Sequence, residues 1–344
     1  MDSRIGRPLY QCADTALVRA AQHAELALPV WPDLTDDTPA HAQQWGRWLR
    51  EVWALEEVAA AIEHASPVLA RQVDAVCAAP NPDVRQARHT ALSMARYVLR
   101  MTSRATPFGL FAGVAPASFG PEPVVRWGTG HRAVARADAS WVADVIVKLE
   151  SCPELLARLP LMANNAAFVR GGRLVVPYPP QPRGENRTAQ VEVSMLHTPT
   201  VRIAVAAARS PIRCDELAGK LAAEFPTASP SRIGGLLTDL VDRRVLITGL
   251  HAPSTVIDAF GYLIEQLETA GAADVPQVAD LLCRLREINE GIARHNRAAT
   301  TAAGRSIRTA VAEKMTALSA AARQPLAADL RVDCSLVLPR QVAK

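Results

Sequence analysis

Arginine recurs at four-residue intervals in the segment RYVLRMTSRATPFG, and this spacing is the pattern in the chain that most suggests chemistry. Arg96, Arg100 and Arg104 stand at positions i, i+4 and i+8, which places them on one face of a helix. Guanidinium groups in such a row repel one another unless an anion lies in front of them, where they form charge-assisted, bidentate hydrogen bonds. The row predicts a phosphate or carboxylate site, and a solvated face in an arginine-rich chain has the same spacing.

The positive charge of the chain is concentrated around this row. Residues 96–136 contain six arginines and one acidic residue, Glu122, a surplus of five positive charges. The whole chain of 344 residues has 38 Lys and Arg against 34 Asp and Glu, a net charge of +4. The remainder is therefore close to neutral, and a localised basic patch is what an anionic partner requires.

Three further polar residues have positions that suit a site and also have simpler explanations. Thr106 precedes Pro107, which ends a helix predicted over 82–104, so Thr106 lies in the loop at the end of the arginine face. Asp138 precedes another predicted helix, where aspartate is an ordinary N-cap. Asp333 lies in an alternating strand predicted over 328–339 and should point away from its apolar face, where a surface carboxylate paired with Arg331 is the simpler explanation.

The elements that position these residues predict an α+β fold. It is mostly helical, with several small antiparallel sheets and an embedded winged helix-turn-helix. Residues 1–40 are expected to be irregular because prolines interrupt any periodic pattern, and the following segment HAQQWGRWLREVWALEEVAAAIEHA has the spacing of an amphipathic helix. Gly171-Gly172 between two apolar runs predicts a two-residue hairpin.

The length is sufficient for two or three packed units. The expected regions are residues 1–160, an α+β region with the arginine row and the TPFG motif; residues 161–250, a winged-helix-like unit; and residues 251–344, a helical segment that ends in a strand.

The winged helix-turn-helix is predicted from the strand AQVEVSM and three helices at 199–208, 215–225 and 229–247. A DNA-binding recognition helix should be basic along its length, but Asp239 and Asp242 interrupt the third helix. Peptide binding and a purely structural role remain open alternatives on these residues.

Several function classes find no support in the sequence. The six cysteines lie too far apart for CxxC or zinc spacing and are expected to be reduced, and HExxH, Walker, GxGxxG and GxSxG motifs are absent. No run approaches the roughly 20 apolar residues of a membrane span, and the start lacks the apolar region of a signal peptide. We expect a cytoplasmic protein without membrane insertion, metal or organic cofactor.

The segment RYVLRMTSRATPFGLFAGVA at residues 96–115 resembles the signature of the N-terminal region of lantibiotic dehydratases. Further matching features follow the order of that family: Arg7-Pro8, Asp138 before a helix, the Gly-Gly hairpin, the winged-helix pattern and Val332-Asp333. The resemblance implies that the chain transfers glutamate from glutamyl-tRNA to Ser or Thr hydroxyls of a ribosomally made precursor peptide. This step precedes elimination to dehydroalanine or dehydrobutyrine by a C-terminal or separate elimination domain.

The resemblance also implies a set of site residues and partners. The glutamylation residues would be Arg100, Arg104, Thr106, Asp138 and Asp333, and Arg7, Arg96, Arg100 and Arg104 would bind the tRNA or another anion. Glutamyl-tRNA would be the co-substrate. The partners would be the precursor peptide with its leader, tRNA(Glu), the elimination domain and a possible cyclase. The winged-helix-like unit at residues 161–250 would bind the leader as an added strand, and residues 251–344 would begin a longer domain.

Two other functions are compatible with the residues. The first is a non-catalytic protein that uses the winged helix to present a precursor peptide, and the second is a winged-helix nucleic-acid binder. The arginine row followed by TPFG favours catalysis, because peptide presentation requires no anion site. Since members of the family are longer, we expect the chain to be a fragment, a truncated product or one half of a split enzyme.

Overall fold

The structure is a computed structural model that describes residues 13–21, 23, 25–35, 38–177, 192–298, 301–320, 322 and 324–343. It divides into two compact units. The first comprises Met1–Ala135, Ile292–Ala310 and Ala327–Lys344, and the second comprises Arg136–Gly291 and Val311–Leu326. The three regions expected from the sequence, with bounds at 160 and 250, stay a prediction.

Helices and small sheets alternate along the chain. Up to residue 176 the elements are β1 (Thr15–Ala21), α1 (Pro39–Trp53), α2 (Glu56–Ala65), α3 (Pro67–Ala78), α4 (Val84–Ser103), β2 (Ala112–Gly120), β3 (Val124–Trp127), β4 (Arg132–Ala137), α5 (Ala139–Glu150), α6 (Pro153–Arg158), β5 (Pro160–Ala163), β6 (Phe168–Arg170) and β7 (Arg173–Val176). After residue 192 they are β8 (Val193–Leu196), α7 (Pro199–Ala207), β9 (Ile212–Arg213), α8 (Cys214–Glu224), α9 (Pro230–Asp242), β10 (Leu246–Thr248), α10 (Ala259–Thr269), α11 (Pro276–Asn296), α12 (Thr301–Leu318), β11 (Leu326–Arg331) and β12 (Cys334–Pro339).

Helices α1 to α4 bury one apolar core in the first unit. Trp45 is fully buried there, and its indole nitrogen donates a hydrogen bond to the backbone oxygen of Asp33, as buried indoles usually require. The helix predicted through HAQQWGRWLREVWALEEVAAAIEHA is divided into α1 and α2 at Ala54 and Leu55.

The sheet of the first unit is six-stranded, in the order β3-β12-β2-β11-β4, with β1 paired to β2 outside this path. Strands β11 and β12 both run parallel to β2, whereas β1 runs antiparallel to it from Thr15 opposite Ser118. Gly113 allows the close approach of β11, because a Cβ there would lie 2.2 Å from the backbone oxygen of Leu330.

Two strand predictions were wrong in this sheet. The segment before residue 40 is not irregular throughout, because β1 gains a partner in β2 that no local pattern reveals. The strand predicted over 328–339 is two strands, β11 and β12, which separate at Val332 and Asp333. The separation follows from the backbone of Asp333, whose N–H donates to His131 Nδ1 and whose oxygen accepts from the Gly128 N–H.

The second unit contains two three-stranded antiparallel sheets, β10-β5-β9 and β6-β7-β8. The predicted hairpin is confirmed between β6 and β7, where Gly171 and Gly172 have φ of 55° and 74°. Helices α7, α8 and α9 follow in the predicted order, with β9 and β10 beside them in the chain. Their assignment to a winged helix stays a prediction.

A buried acid, Glu150, ties α5 to β10 in the second unit. Its carboxylate lies 2.8 Å from Arg244 Nη1, accepts from Thr248 Oγ1 at 2.7 Å and lies 3.1 Å from His251 Nε2. Burial raises the pKa of Glu150, but the hydrogen bond from His251, the charge of Arg244 and the hydrogen bond from Thr248 together hold the pKa below its ordinary value.

The predicted fold class is confirmed: the protein is α+β and mostly helical, with several small sheets. The largest sheet contains parallel pairs, which the sequence patterns did not indicate. No helix in the described ranges is long and apolar enough to cross a bilayer.

Candidate functional site

Helix α4 presents the arginine row. Its N-cap is Asp83, whose carboxylate accepts a hydrogen bond from the Gln86 N–H at 2.9 Å. The apolar face, including Met94 and Val98, is buried in the core. The opposite face is left with Arg96, Arg100 and Arg104, the last of which is the extended C-cap.

The three arginines line one open groove along this helix. The groove has a volume of about 730 Å³, and Ser93, Tyr97 and Ser103 line it as well. Arg96 and Arg104 are exposed and Arg100 is half-buried. The predicted alignment of the row on one face is therefore present in the structure.

Arg100 is held against the turn that follows α4. Its guanidinium carbon lies 4.5 Å from the ring centroid of Phe108, a distance typical of a cation–π contact. Phe108 in turn stacks on the buried Phe111 at 5.8 Å. The Nε of Arg100 is buried and has no hydrogen-bond partner among the described residues. A buried donor without a partner costs about 1–3 kcal/mol. An anion bound in the groove would accept a hydrogen bond from this Nε–H and remove that cost.

Thr106 lies exposed in the bend between α4 and Phe108. The bend results from the extended backbone at Arg104 and from Pro107 behind it. Thr106 is thus at the end of the arginine row, as predicted.

Asp333 occupies a narrow site built by backbone. Its Oδ2 accepts a hydrogen bond from the Gly130 N–H at 3.1 Å, and the Gly128 N–H bonds to its backbone oxygen at 2.9 Å. A Cβ on Gly128 would lie 1.8 Å from the same Oδ2. The loop between β3 and β4 therefore fits closely around the carboxylate. In the described part of the chain no arginine forms an ion pair with Asp333.

Asp138 is the N-cap of α5 in the second unit. Its Oδ1 accepts from the Ser140 N–H at 3.0 Å, from the Trp141 N–H at 3.3 Å and from the Ser140 hydroxyl. The simpler explanation considered from the sequence, an N-cap, is therefore present, and any chemical role would be additional to it.

The predicted site residues fall into separate groups. Arg96, Arg100, Arg104 and Thr106 belong to α4 and the following turn, and Asp333 lies in the same unit. Within the described residues no hydrogen bond or ion pair joins Asp333 to the arginine row. Asp138 belongs to the other unit, and Arg7 lies outside the described residues.

The sequence analysis missed the loop that holds Asp333. Asp333 forms hydrogen bonds with Gly128, Gly130 and His131, which are distant from it in the sequence. The separation is 203 residues for Gly130 and 202 residues for His131. The run Trp-Gly-Thr-Gly-His was a usable sign of a tight turn, but nothing local indicated its partner. In the described ranges, no three His, Cys, Asp or Glu side chains are placed to hold a metal ion; the expectation of no cofactor stays a prediction.

The fold and the groove define a class: an α+β protein with an arginine-lined groove beside a turn in which Phe108 stacks on the buried Phe111. Residues 54–344 match the family described as "Lantibiotic dehydratase, N terminus", and the chain belongs to that family. The resemblance noted at residues 96–115 is thereby confirmed.

Several known proteins are similar to the chain. The subtilin biosynthesis protein SpaB of Bacillus subtilis is 29% identical over 186 residues, which cover 54% of this chain and 17% of SpaB. The crystal structure of the tRNA dependent lantibiotic dehydratase MibB from Microbispora sp. 107891 has a TM-score of 0.77 and 28% identity, covering 97% of this chain and 30% of MibB.

The glutamylation domain of TbtB from thiomuracin biosynthesis has the same fold, with a TM-score of 0.57 at 20% identity, over 88% of this chain and 36% of that one. A second structure of this domain, bound to 5′-phosphodesmethylglutamycin, has a TM-score of 0.56. The chain thus spans roughly a third or less of the length of each of these relatives.

Proposed function

We propose that the chain is the N-terminal part of a glutamylating lantibiotic dehydratase. It would transfer glutamate from glutamyl-tRNA to Ser or Thr side chains of a ribosomally made precursor peptide, the first step in forming dehydroalanine or dehydrobutyrine in a lanthipeptide. The support is the family membership and the similarity to a tRNA-dependent dehydratase.

The observation that carries the proposal is the state of Arg100. Its guanidinium is fixed against Phe108, faces the groove that Arg96 and Arg104 also line, and retains an unsatisfied buried Nε–H. A tRNA phosphate or the charge that develops on an attacked ester would supply the missing acceptor. Peptide presentation alone gives no reason for such an arrangement.

The proposed reaction is an acyl transfer that needs no enzyme nucleophile. The peptide hydroxyl oxygen attacks the carbonyl carbon of the ester that joins glutamate to the tRNA. The new ester bond forms as the bond to the ribose oxygen breaks. The hydroxyl proton passes through a protein carboxylate to the departing ribose oxygen. Arginines of the row would offset the negative charge on the carbonyl oxygen.

The remaining predicted residues have roles that suit their chemistry. Asp333 or Asp138 would accept the hydroxyl proton, and the other would orient the α-amino group of the glutamyl moiety. Thr106 would position the substrate at the end of the row, and Arg7 would contact the tRNA. A separate elimination domain would then remove glutamate, and a cyclase could act afterwards. We place these steps in the cytoplasm.

Leader recognition is the proposed role of the small sheet in the second unit. Strand β8 pairs with β7 on one side, and no other described strand pairs with it. Leu196 at its end is 63% exposed. An extended leader could add to this edge through backbone hydrogen bonds. Deletion of 189–248 should abolish leader binding in a protein that still folds, as measured by fluorescence anisotropy of a labelled leader; unchanged affinity would contradict the assignment.

Glutamylation is tested by incubating the purified chain with glutamyl-tRNA and the neighbouring precursor peptide, alone and with any polypeptide encoded beside it. Mass spectrometry should detect glutamyl adducts on the peptide. Arg100→Ala and Arg104→Ala should abolish them while leader binding is retained. Arg85→Ala, which changes an exposed arginine of the same helix outside the groove, is the matched control. Absence of adducts in every preparation would exclude the proposal.

A further inference from the structure

A second basic cavity lies in the first unit, apart from the arginine groove. It has a volume of about 500 Å³. Its titratable lining residues are five arginines and histidines and one acid: Glu57, His131, Arg132, His295, Arg297 and Arg308.

Arg308 is the buried cation of this cavity. It is 7% exposed, and its two terminal nitrogens make only long contacts, each of 3.4 Å, to His295 Nε2 and to the backbone oxygen of Ala60. No described carboxylate forms an ion pair with it. The nearby Glu63 already pairs with Arg305, whose Nε donates to it at 2.7 Å. A guanidinium has five N–H donors, so Arg308 keeps N–H donors and a buried charge that no described carboxylate contacts directly, although burial lowers its pKa and the charge of Glu63 raises it.

The neighbouring imidazoles do not supply that counter-ion. Burial, together with the positive charge of Arg308, lowers the pKa of His64 to about 4. Burial and Arg308 also lower the pKa of His295, against the opposing effect of Asn296. Both rings are therefore neutral near pH 7 and can donate or accept hydrogen bonds without adding charge.

The rim of the cavity offers further donors. Arg132 and Arg297 are exposed, and Arg132 donates to the backbone oxygen of Asn296 at 3.3 Å. The Gly130 backbone also lines the cavity, and it is the residue whose N–H holds the Asp333 carboxylate. The cavity is thus open to solvent at a basic rim and adjoins the site of Asp333.

We propose that this cavity binds one oxyanion group, a carboxylate or a phosphate, with Arg308 as the buried counter-ion and Arg132 and Arg297 at the entrance. An oxyanion would satisfy the free N–H donors of Arg308 and neutralise its charge in a geometry suited to bidentate contact. The source of the group rests on the proposed function, because glutamyl-tRNA carries both a side-chain carboxylate and phosphodiesters.

The test uses small anions on the whole chain, without tRNA or peptide. L-glutamate and inorganic phosphate are titrated at constant ionic strength, with L-glutamine as the uncharged analogue, and binding is measured by calorimetry and by the shift in Tm. To remove binding at the arginine row, the titrations are made in an Arg100→Ala background. Saturable binding of glutamate identifies a carboxylate site, and saturable binding of phosphate alone identifies a phosphate site.

Arg308→Gln in that background should weaken anion binding at least tenfold. Since Arg308 is buried and its replacement could destabilise the fold, Arg132→Ala is the second variant. Arg132→Ala should weaken binding severalfold while leaving the Tm without anion unchanged. Arg85→Ala should bind as the parent does. No saturable binding, or equal affinity in the parent and in both variants, would overturn the inference.

The outcomes separate this inference from the proposed function. Anion binding that depends on Arg308 in a chain that forms no glutamyl adducts would leave the cavity established and refute the transferase. Normal glutamyl transfer by Arg308→Gln and Arg132→Ala, with no anion bound at the cavity, would support the transferase and refute the anion site.

Discussion

The carboxylate of Asp333 shows how much a single residue depends on its neighbours. The loop around it tolerates no side chain at residue 128, because a Cβ there would lie 1.8 Å from Oδ2. Gly128→Ala should displace the carboxylate and reduce glutamyl transfer to about the level of Asp333→Asn. The matched control is Gly219→Ala in α8, where an added Cβ meets no atom within 4 Å. Wild-type transfer by Gly128→Ala would remove Asp333 from the site.

Asp138 allows its structural and chemical roles to be separated by one conservative change. Asparagine is as good an N-cap as aspartate, whereas alanine costs about 1 kcal/mol. Asp138→Asn should therefore keep the thermal stability of the protein and lose glutamyl transfer, and Asp138→Ala should lose both. Stability is measured by thermal unfolding and transfer by mass spectrometry. Full transfer by Asp138→Asn would show that the residue is a cap only.

Residue patterns predicted part of this site well. The row of Arg96, Arg100 and Arg104 was predictable because four-residue spacing is a local property of a helix. The sequence did not predict that Arg100 would have a buried Nε–H without a hydrogen-bond partner in the described part of the chain, because this depends on how Phe108 and Phe111 pack. The same holds for the basic cavity, since Arg308 and Ala60 are 248 positions apart.

At the scale of elements, the junction of α5 and β10 depends on the ionisation of Glu150. Its pKa in the folded protein lies below the ordinary value of 4.5, so its contribution to stability is present above that pH and is lost as the pH falls through the folded pKa. Glu150→Gln should lower the free energy of unfolding by about 3 kcal/mol at pH 7.

The difference between the two proteins should shrink as the pH falls below 4.5 and through the lowered folded pKa of Glu150, below which the carboxyl is protonated in both folded and unfolded chains. Denaturant unfolding at pH 7 and at acidic pH measures both values. Glu154→Gln, which changes an exposed acid paired with Arg158, is the control and should have an effect below about 1 kcal/mol. A pH-independent difference for Glu150→Gln would contradict the role of its charge.

Helices were predicted with much better bounds than strands. Apolar periodicity and the Asp83 cap define α4, which was predicted over 82–104 and lies at Val84–Ser103. Strand β1 and the separation of β11 from β12 could not be predicted, because both depend on pairing with β2, which is distant in sequence. Periodicity reports the face a strand buries and carries no information about which strand lies beside it.

For the whole molecule, one basic segment on a nearly neutral body predicts a salt-dependent affinity for tRNA. The logarithm of the binding constant falls linearly with the logarithm of the salt concentration. Each arginine that neutralises a phosphate makes this slope steeper by about one. Arg96→Ala should weaken tRNA binding and reduce this slope by about one, and Arg85→Ala should leave it unchanged. Filter binding over a range of salt concentrations measures both. Equal slopes in wild type and Arg96→Ala would place the tRNA elsewhere.

Strand β2 pairs with β1, which precedes it in the chain, and with β11 and β12, which follow it much later in the chain. Leu330 of β11 lies opposite Gly113. Closing so large a loop is entropically costly and slow, and pairings of this kind form late in folding. During synthesis helices α1 to α4 can pack early, but Asp333 reaches the loop of Gly128 and Gly130 only after β11 and β12 have left the ribosome. The sheet of β6, β7 and β8 can therefore form in the emerging chain before Asp333 reaches the backbone groups that hold its carboxylate.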